Sequence, residues 1–400
     1  MGYRILSMDG GGSWALIEAR TLVALYGPDT TGHEVLADFD LVAGNSGGSE
    51  VLAGLVENLT LKDLLANFQN EAMRRSLFSP TPNRLYRWLN RYVGIGPAYS
   101  TEHKLEVFRK HLPKTGDKTL AEAAKGLGRY GGKGPDIHLL IIGFDYDANR
   151  SAFFRSTPTF GPGWGHGHEA SATLAEAIHA STNAPVNYFD GPALLPSGGR
   201  FWDGGITGCN NPVLAAVTEA ICRGQTPTDI VVLSLGTGTV ALPTHDPTKD
   251  PPDSPFVQPP GKDGLFADIH RLATSIMDDP PDVATFLAHV MTGGDTKVAG
   301  SPASRVVRMN PKISPAGYPG AWGPPGGMTV QQFTDMVNLP VDALEQKLVD
   351  KIAAYTELWL AGKVPNQPIR EDTATLKLEL GSATFQDAAQ VWKELKKRSA

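Results

Sequence analysis

The stretch that most restricts how this chain can fold is residues 40–56, DLVAGNSGGSEVLAGLV. Leu41-Val42-Ala43 is an apolar run too short for a helix and reads as the end of a buried strand. Val51, Leu52, Leu55 and Val56 then recur at helical spacing. The chain must therefore turn from strand to helix within Gly44-Asn45-Ser46-Gly47-Gly48. Gly-x-Ser-x-Gly in that context is a nucleophile elbow: a strained turn presents the serine hydroxyl, and the flanking glycines let the backbone crowd together. The helix that starts there aims free N–H groups at the same spot and favours negative charge.

A second glycine turn precedes the first. Tyr3 to Met8 reads as a strand that runs into Asp9-Gly10-Gly11-Gly12, after which Trp14, Leu16, Ile17 and Leu22 keep a helical rhythm. Consecutive glycines expose backbone N–H groups that can cradle a phosphate or an oxyanion. A dinucleotide fold wants a third glycine where Ala15 stands, and a phosphate-binding P-loop wants a Gly-Lys-Ser/Thr that is missing. An oxyanion hole fits best beside a candidate nucleophile. Further on, Ile137–Asp145 reads as a buried strand with Ala152-Phe153-Phe154 as its neighbour, and Leu174–Ser181 as a short helix. Phe201-Trp202 ends another strand at Asp203-Gly204-Gly205, Val213–Cys222 is helical, and Ile230–Leu235 is again an apolar strand. The alternation predicts a three-layer α/β/α fold with a mostly parallel central sheet, in which ligands collect at the carboxyl ends of strands. Asp9, Ser46 and Asp203 are all placed at such ends.

Taken together, Asp9 to Gly12, Gly44 to Gly48 and Asp203 to Gly205 resemble the marks of the patatin-like phospholipases and acyl hydrolases. The segments Ala180-Ser-Thr-Asn-Ala-Pro185, Asn210-Asn211-Pro212 and Leu235-Gly-Thr-Gly238 add to the likeness, which covers about residues 3–240 in the family's order. One departure is Trp14-Ala15, where the family usually carries Arg-Gly. The resemblance implies a lipid acyl hydrolase with a Ser–Asp dyad: Ser46 as nucleophile, Asp203 as general base, and an oxyanion hole from Gly10, Gly11 and Gly12. Asp9, Gly44, Gly48, Gly204 and Gly205 support the two turns. This mechanism calls for no cofactor and no metal. The alternatives are a Ser-His-Asp esterase or thioesterase, with His245, His270 or His289 in the right order, and a non-catalytic phosphate- or nucleotide-binding protein.

Charge narrows the partners. The net charge of −6 gives no reason to expect nucleic acid. Between Arg74 and Lys114, however, nine Lys or Arg residues face only two acids, and Arg84, Arg87 and Arg91 interleave with Leu85, Tyr86, Trp88, Leu89 and Tyr92. Such a basic, aromatic helix suits an anionic membrane surface, although a solvated helix face over ordinary core has the same look. His166 and His168 lie in a loop with no further ligand spacing and predict no metal site. Two cysteines, no signal-peptide core and no apolar run of membrane-spanning length predict a cytoplasmic protein with peripheral membrane contact at most. Residues 1–240 are expected to form the catalytic core. Residues 241–400 are expected to be an extension packed on the same domain, with a proline-rich loop at 243–262, helices at 264–278 and 282–292, a strand at Val306–Met309 and a helix from about 340 to 361.

Overall fold

The computed structural model describes residues 2–93, 96–157, 168–258, 280–295, 304–372 and 376–399. Strands β1 (Tyr3–Met8), β2 (Leu41–Asn45) and β3 (His138–Asp145) form the centre of the sheet. β4 (Arg150–Arg155), β5 (Ala193–Leu194), β6 (Arg200–Asp203) and β7 (Ile230–Leu235) follow in the chain. With Val306–Met309 they make an eight-stranded sheet among the described residues, in which β2, β1, β7 and Val306–Met309 run parallel to β3. β4 and β6 run antiparallel to it. Helices cover both faces, the three-layer α/β/α arrangement expected from the sequence.

Period-two alternation explains the two faces. Ile5, Leu41, Ala43, Leu140 and Val232 point to one side, where Val213, Ala216 and Val217 of the helix Val213–Cys222 pack. Leu6, Val42, Leu139, Ile141 and Leu233 point to the other, against the helices Leu16–Tyr26 and Ser46–Val56. The helix Gln346–Leu360 joins that second face through Ile352, Tyr355 and Trp359, all buried, as its one-sided apolar pattern indicates.

Three expectations need correction. Asp203 does not end a strand parallel to the rest. β4 takes one edge of β3 over Leu140–Asp145, so β2 and β6 share the other edge, β2 reaching Ile142 and β6 arriving from the opposite direction to Gly143. Their ends meet, and that meeting brings Asp203 beside Asn45 and Ser46. The helix expected from about 340 begins at Gln346, because residues 340–343 form a separate turn whose carbonyls are bound by Ser13 and Trp14. The basic stretch is only partly a surface: Arg74 and Lys104 are buried, Arg74 donating to the carbonyls of Phe68 and Leu344. The expected strand at Val306–Met309 is present, and a helix spans Pro280–Met291. The expected helix at 264–278 lies outside the described residues.

Candidate functional site

Ser46 is the first residue of its helix and has φ +46°, the left-handed region that a non-glycine residue enters at a cost. The turn is held by its neighbours: the Ser46 N–H donates to Ser181 Oγ at 2.9 Å, and Ser49 Oγ donates to the Ser46 carbonyl at 2.6 Å. Two glycines permit the close approach. A Cβ on Gly48 would stand 2.4 Å from the Met8 carbonyl oxygen, and one on Gly44 would stand 2.8 Å from the Gly48 oxygen. Any larger residue there would push the elbow off the sheet.

Asp203 ends β6 and is buried. Its Oδ1 accepts from the Gly205 N–H at 2.7 Å, Gly204 is needed because a Cβ there would stand 2.6 Å from the Ile142 carbonyl oxygen, and Ser46 lines the same cleft. The Asn45 amide fits beside it in either orientation. One sets Nδ2 3.5 Å from Asp203 Oδ1, and the other bridges the Ile142 carbonyl and the Gly205 N–H at 3.3 Å each. Burial raises the Asp203 pKa above the usual carboxylate value, against the pull of these donors and of Lys104. A carboxylate so placed can take a proton from Ser46.

The glycine turn lies across the cleft from Asp203. Gly11 and Gly12 line the cleft, whereas the Gly10 N–H already donates to the Asn210 carbonyl at 2.8 Å. Asp9 points away from the cleft. Its Oδ2 accepts from Arg308 Nη2 at 2.5 Å, and its N–H donates to Glu18 Oε1 at 2.7 Å. Arg308 also donates to Ser234 Oγ and Gln367 Oε1, so a residue of the strand Val306–Met309 anchors the first turn. An arginine inside the apolar run Val306-Val307-Arg308-Met309 was the available sequence signal, since a buried arginine requires a buried partner.

Residues 340–342 close the side of this turn. Trp14 Nε1 donates to the Pro340 carbonyl at 3.1 Å, the Ser13 N–H to the Val341 carbonyl at 3.2 Å, and Ser13 Oγ to the Asp342 carbonyl at 2.9 Å. Asp342 in turn accepts a short hydrogen bond from Tyr99. The Trp14 that departs from the family pattern therefore holds a C-terminal segment against the glycine turn.

Ser46, Asp203, Gly11 and Gly12 share a cleft with Glu50, Lys104, Tyr188, Phe189, Val341 and Asp342. Glu50 and Leu77 also line an adjoining apolar pocket, whose walls include Ala53, Leu64, Phe68, Phe108 and Ile178. Sequence reasoning missed Glu50 and Lys104, one an ordinary helix glutamate and the other a member of a basic surface run. No histidine lines the cleft among the described residues. His289 Nδ1 pairs with Ser304 Oγ at 2.8 Å on the far helix, His245 sits in a loop of the C-terminal region, and His270 lies outside the described residues, as does His166. Among the described residues no group of three His, Cys, Asp or Glu could hold a metal ion, and no helix is long and apolar enough to cross a membrane.

An elbow serine, an aspartate across a sheet edge and a glycine turn on one α/β/α scaffold define the patatin-like class. The family model of patatin-like phospholipases matches residues 6–217, and the chain belongs to that family. A cGAMP-activated phospholipase of Pseudomonas aeruginosa (strain BWHPSA011 / Pa011) is 25% identical over 240 residues. That alignment covers 60% of this chain and 63% of the relative, so the chain spans less than two thirds of the relative's length. Among solved structures, the crystal structure of VipD from Legionella pneumophila aligns with 89% of this chain and 67% of its own, at 10% identity and a TM-score of 0.34.

Proposed function

We propose that this chain is a lipid acyl hydrolase that cleaves carboxylic ester bonds through a Ser46–Asp203 dyad. The observation that carries the reading is that Ser46, on a strained turn with φ +46°, shares one cleft with the buried Asp203 carboxylate. Ser46 Oγ attacks the ester carbonyl while Asp203 accepts its proton. The tetrahedral oxyanion is met by the N–H groups of Gly11 and Gly12. Loss of one such donor costs about 2.7–4 kcal/mol in the barrier. Collapse of the intermediate breaks the ester C–O bond, and the leaving alkoxide takes the proton from Asp203. Water then attacks the acyl-enzyme, giving its proton to Asp203, which returns it to Ser46 as the fatty acid leaves. Gly10, expected as a third donor, is assigned instead to fixing the turn through Asn210.

Two observations weigh against the alternatives. The described cleft lining offers no histidine for a triad. A phosphate cradle would need the N–H groups of Gly10 and Ser13, which already bond Asn210 and Val341. The apolar pocket that meets the cleft at Glu50 and Leu77 suits an acyl chain. We further propose that the helix Arg84–Val93 rests on an anionic lipid surface, since it exposes Leu85, Tyr86 and Trp88 beside Arg84 and Arg87. Asn90 Nδ2 donates to the Gly96 carbonyl at 2.6 Å and to the Asn187 carbonyl at 3.4 Å, which sets the helix next to cleft residue Tyr188. Residues 241–400 are read as an extension completing the same domain.

The test is fatty-acid release from phosphatidylglycerol vesicles and from p-nitrophenyl esters by the purified protein. Both are run with and without cGAMP, the nucleotide in the Pseudomonas relative's name. Release by the wild type that Ser46→Ala abolishes is the expected result. A folded wild type that cleaves neither substrate in either condition would refute the reading.

A further inference from the structure

The dyad shares its cleft with a second pair of charged side chains. Glu50 follows Ser46 by four residues on the helix Ser46–Val56, which puts both on one face. Lys104 opens the helix Lys104–His111, and both Glu50 and Lys104 line the cleft with Ser46 and Asp203. Lys104 is only 2% exposed. Its Nζ donates to the Thr182 carbonyl at 2.7 Å and stands 3.8 Å from the centroid of the Phe189 ring. A buried ammonium loses its hydration, and in the first turn of a helix it also opposes the helix dipole. A carbonyl and an aromatic face ease that cost without supplying a full counter-charge. The opposite charges that reach it are those of Glu50 and Asp203.

We propose that Lys104 is a positioning residue that keeps the Asp203 carboxylate ionised for its work on Ser46, and that Glu50 is the buried acid balancing the charge of Lys104. The proposal rests on the Ser46–Asp203 reading above. Its basis is the grouping of two carboxyls and one ammonium around a single cleft on three separate elements. Burial pushes all three toward their neutral forms, raising Asp203 and Glu50 and lowering Lys104. Their mutual attraction works the other way. With Lys104 charged, Asp203 gives up its proton more readily and is available as a base.

Among the described residues, the other titratable groups near the cluster are Tyr188 and Asp342 on the cleft wall, Tyr99 bonded to Asp342, and His179 and Arg109 near Lys104. Burial pushes His179 down to about 3, so it stays neutral over the working range. Tyr99 is raised by burial and by its bond to Asp342, so it stays protonated.

The experiment is the pH profile of kcat/KM on a soluble p-nitrophenyl ester for the wild type, Lys104→Met, Lys104→Arg and Glu50→Gln, with folding followed by circular dichroism. Removing the positive charge raises the pKa of Asp203, so Lys104→Met is expected to move the acid limb upward by about one pH unit. That is a roughly tenfold loss below the limb, recovered at alkaline pH. Lys104→Arg is expected to keep the wild-type limb. Glu50→Gln removes the acid that favours the charged form of Lys104 and is expected to move the limb upward, in the same direction as Lys104→Met, which keeps the proposal testable if Lys104→Met does not fold. A uniform loss with an unmoved limb, a rise in KM alone, or a Glu50→Gln shift in the downward direction would overturn it. Wild-type activity that survives Ser46→Ala would instead overturn the dyad reading, so the two failures are distinguishable.

Discussion

Replacing Arg308 by methionine should cost more than any surface substitution, and the structure sets the scale. Arg308 and Asp9 are both buried, at 3% exposure each. The guanidinium spends Nη2 on Asp9 Oδ2 at 2.5 Å, Nη1 on Ser234 Oγ at 3.0 Å and Nε on Gln367 Oε1 at 3.2 Å. Methionine roughly fills the space of the side-chain stem and supplies none of these donors. The Asp9 carboxylate, whose Oδ1 already lacks a hydrogen-bond partner among the described residues, would be left buried without a counter-charge. Breaking one side of a buried pair costs about 3–5 kcal/mol. Removing both charges in Asp9→Asn/Arg308→Met should recover much of that, for a coupling energy of about 2 kcal/mol. Urea titrations of the wild type, both single variants and the double variant measure it from the midpoints at constant slope. The same cycle should show lower hydrolytic activity in Arg308→Met, because Asp9 anchors the turn that carries Gly11 and Gly12. An Arg308→Met cost below about 1 kcal/mol, or strictly additive variants, would refute the reasoning.

Other outcomes follow from the same contacts. Glu18 is buried against Asp9, and burial raises its pKa well above the usual carboxylate value. The folded state therefore holds a proton that the unfolded state releases. That stabilisation is complete below the unfolded pKa and is lost as pH rises toward the folded pKa. Glu18→Gln should accordingly gain on the wild type in urea midpoint between pH 5 and pH 8; a difference that is flat with pH would contradict this. Gly48→Ala places a Cβ 2.4 Å from the Met8 carbonyl oxygen, and should cost about 1–3 kcal/mol or more and abolish activity; a stable, active variant would mean the elbow has slack. Trp14→Phe deletes the bond to the Pro340 carbonyl at a cost of about 1 kcal/mol, and should speed amide exchange in residues 339–345. Unchanged exchange there would show that the segment is held by its other bonds alone.

The core strands and the two glycine turns were legible because each is a local signal: an apolar run, a glycine that nothing larger can replace, and a helical rhythm directly after. Tyr3–Met8, Leu174–Ser181 and Ile230–Leu235 stand in the structure with the boundaries read from the residues. Asp203 was found by its neighbours Gly204 and Gly205, but not by the geometry argued for it. Its placement depends on β6 meeting β2 end to end along β3, and strand direction leaves no mark in a four-residue strand. Glu50 and Lys104 were invisible for a related reason: whether a charged side chain faces solvent or a cleft is decided by packing between distant elements. The role of residues 340–342 was likewise hidden. A Pro-Val-Asp segment before a helix reads as its beginning, and only the Ser13 and Trp14 donors show what it is held against. Arg308 carried a signal that the strand reading passed over: a charged residue in an apolar strand calls for a buried acid.

The central claim is that Ser46 is a nucleophile activated by Asp203. It is tested most directly by reaction of the purified protein with a fluorophosphonate, read by intact mass and peptide mapping. The wild type should gain a single adduct on Ser46. Ser46→Ala should gain none, and Asp203→Asn should react at least about a hundredfold more slowly. A folded wild type that takes up no label, or an adduct on another residue that persists in Ser46→Ala, would contradict the account.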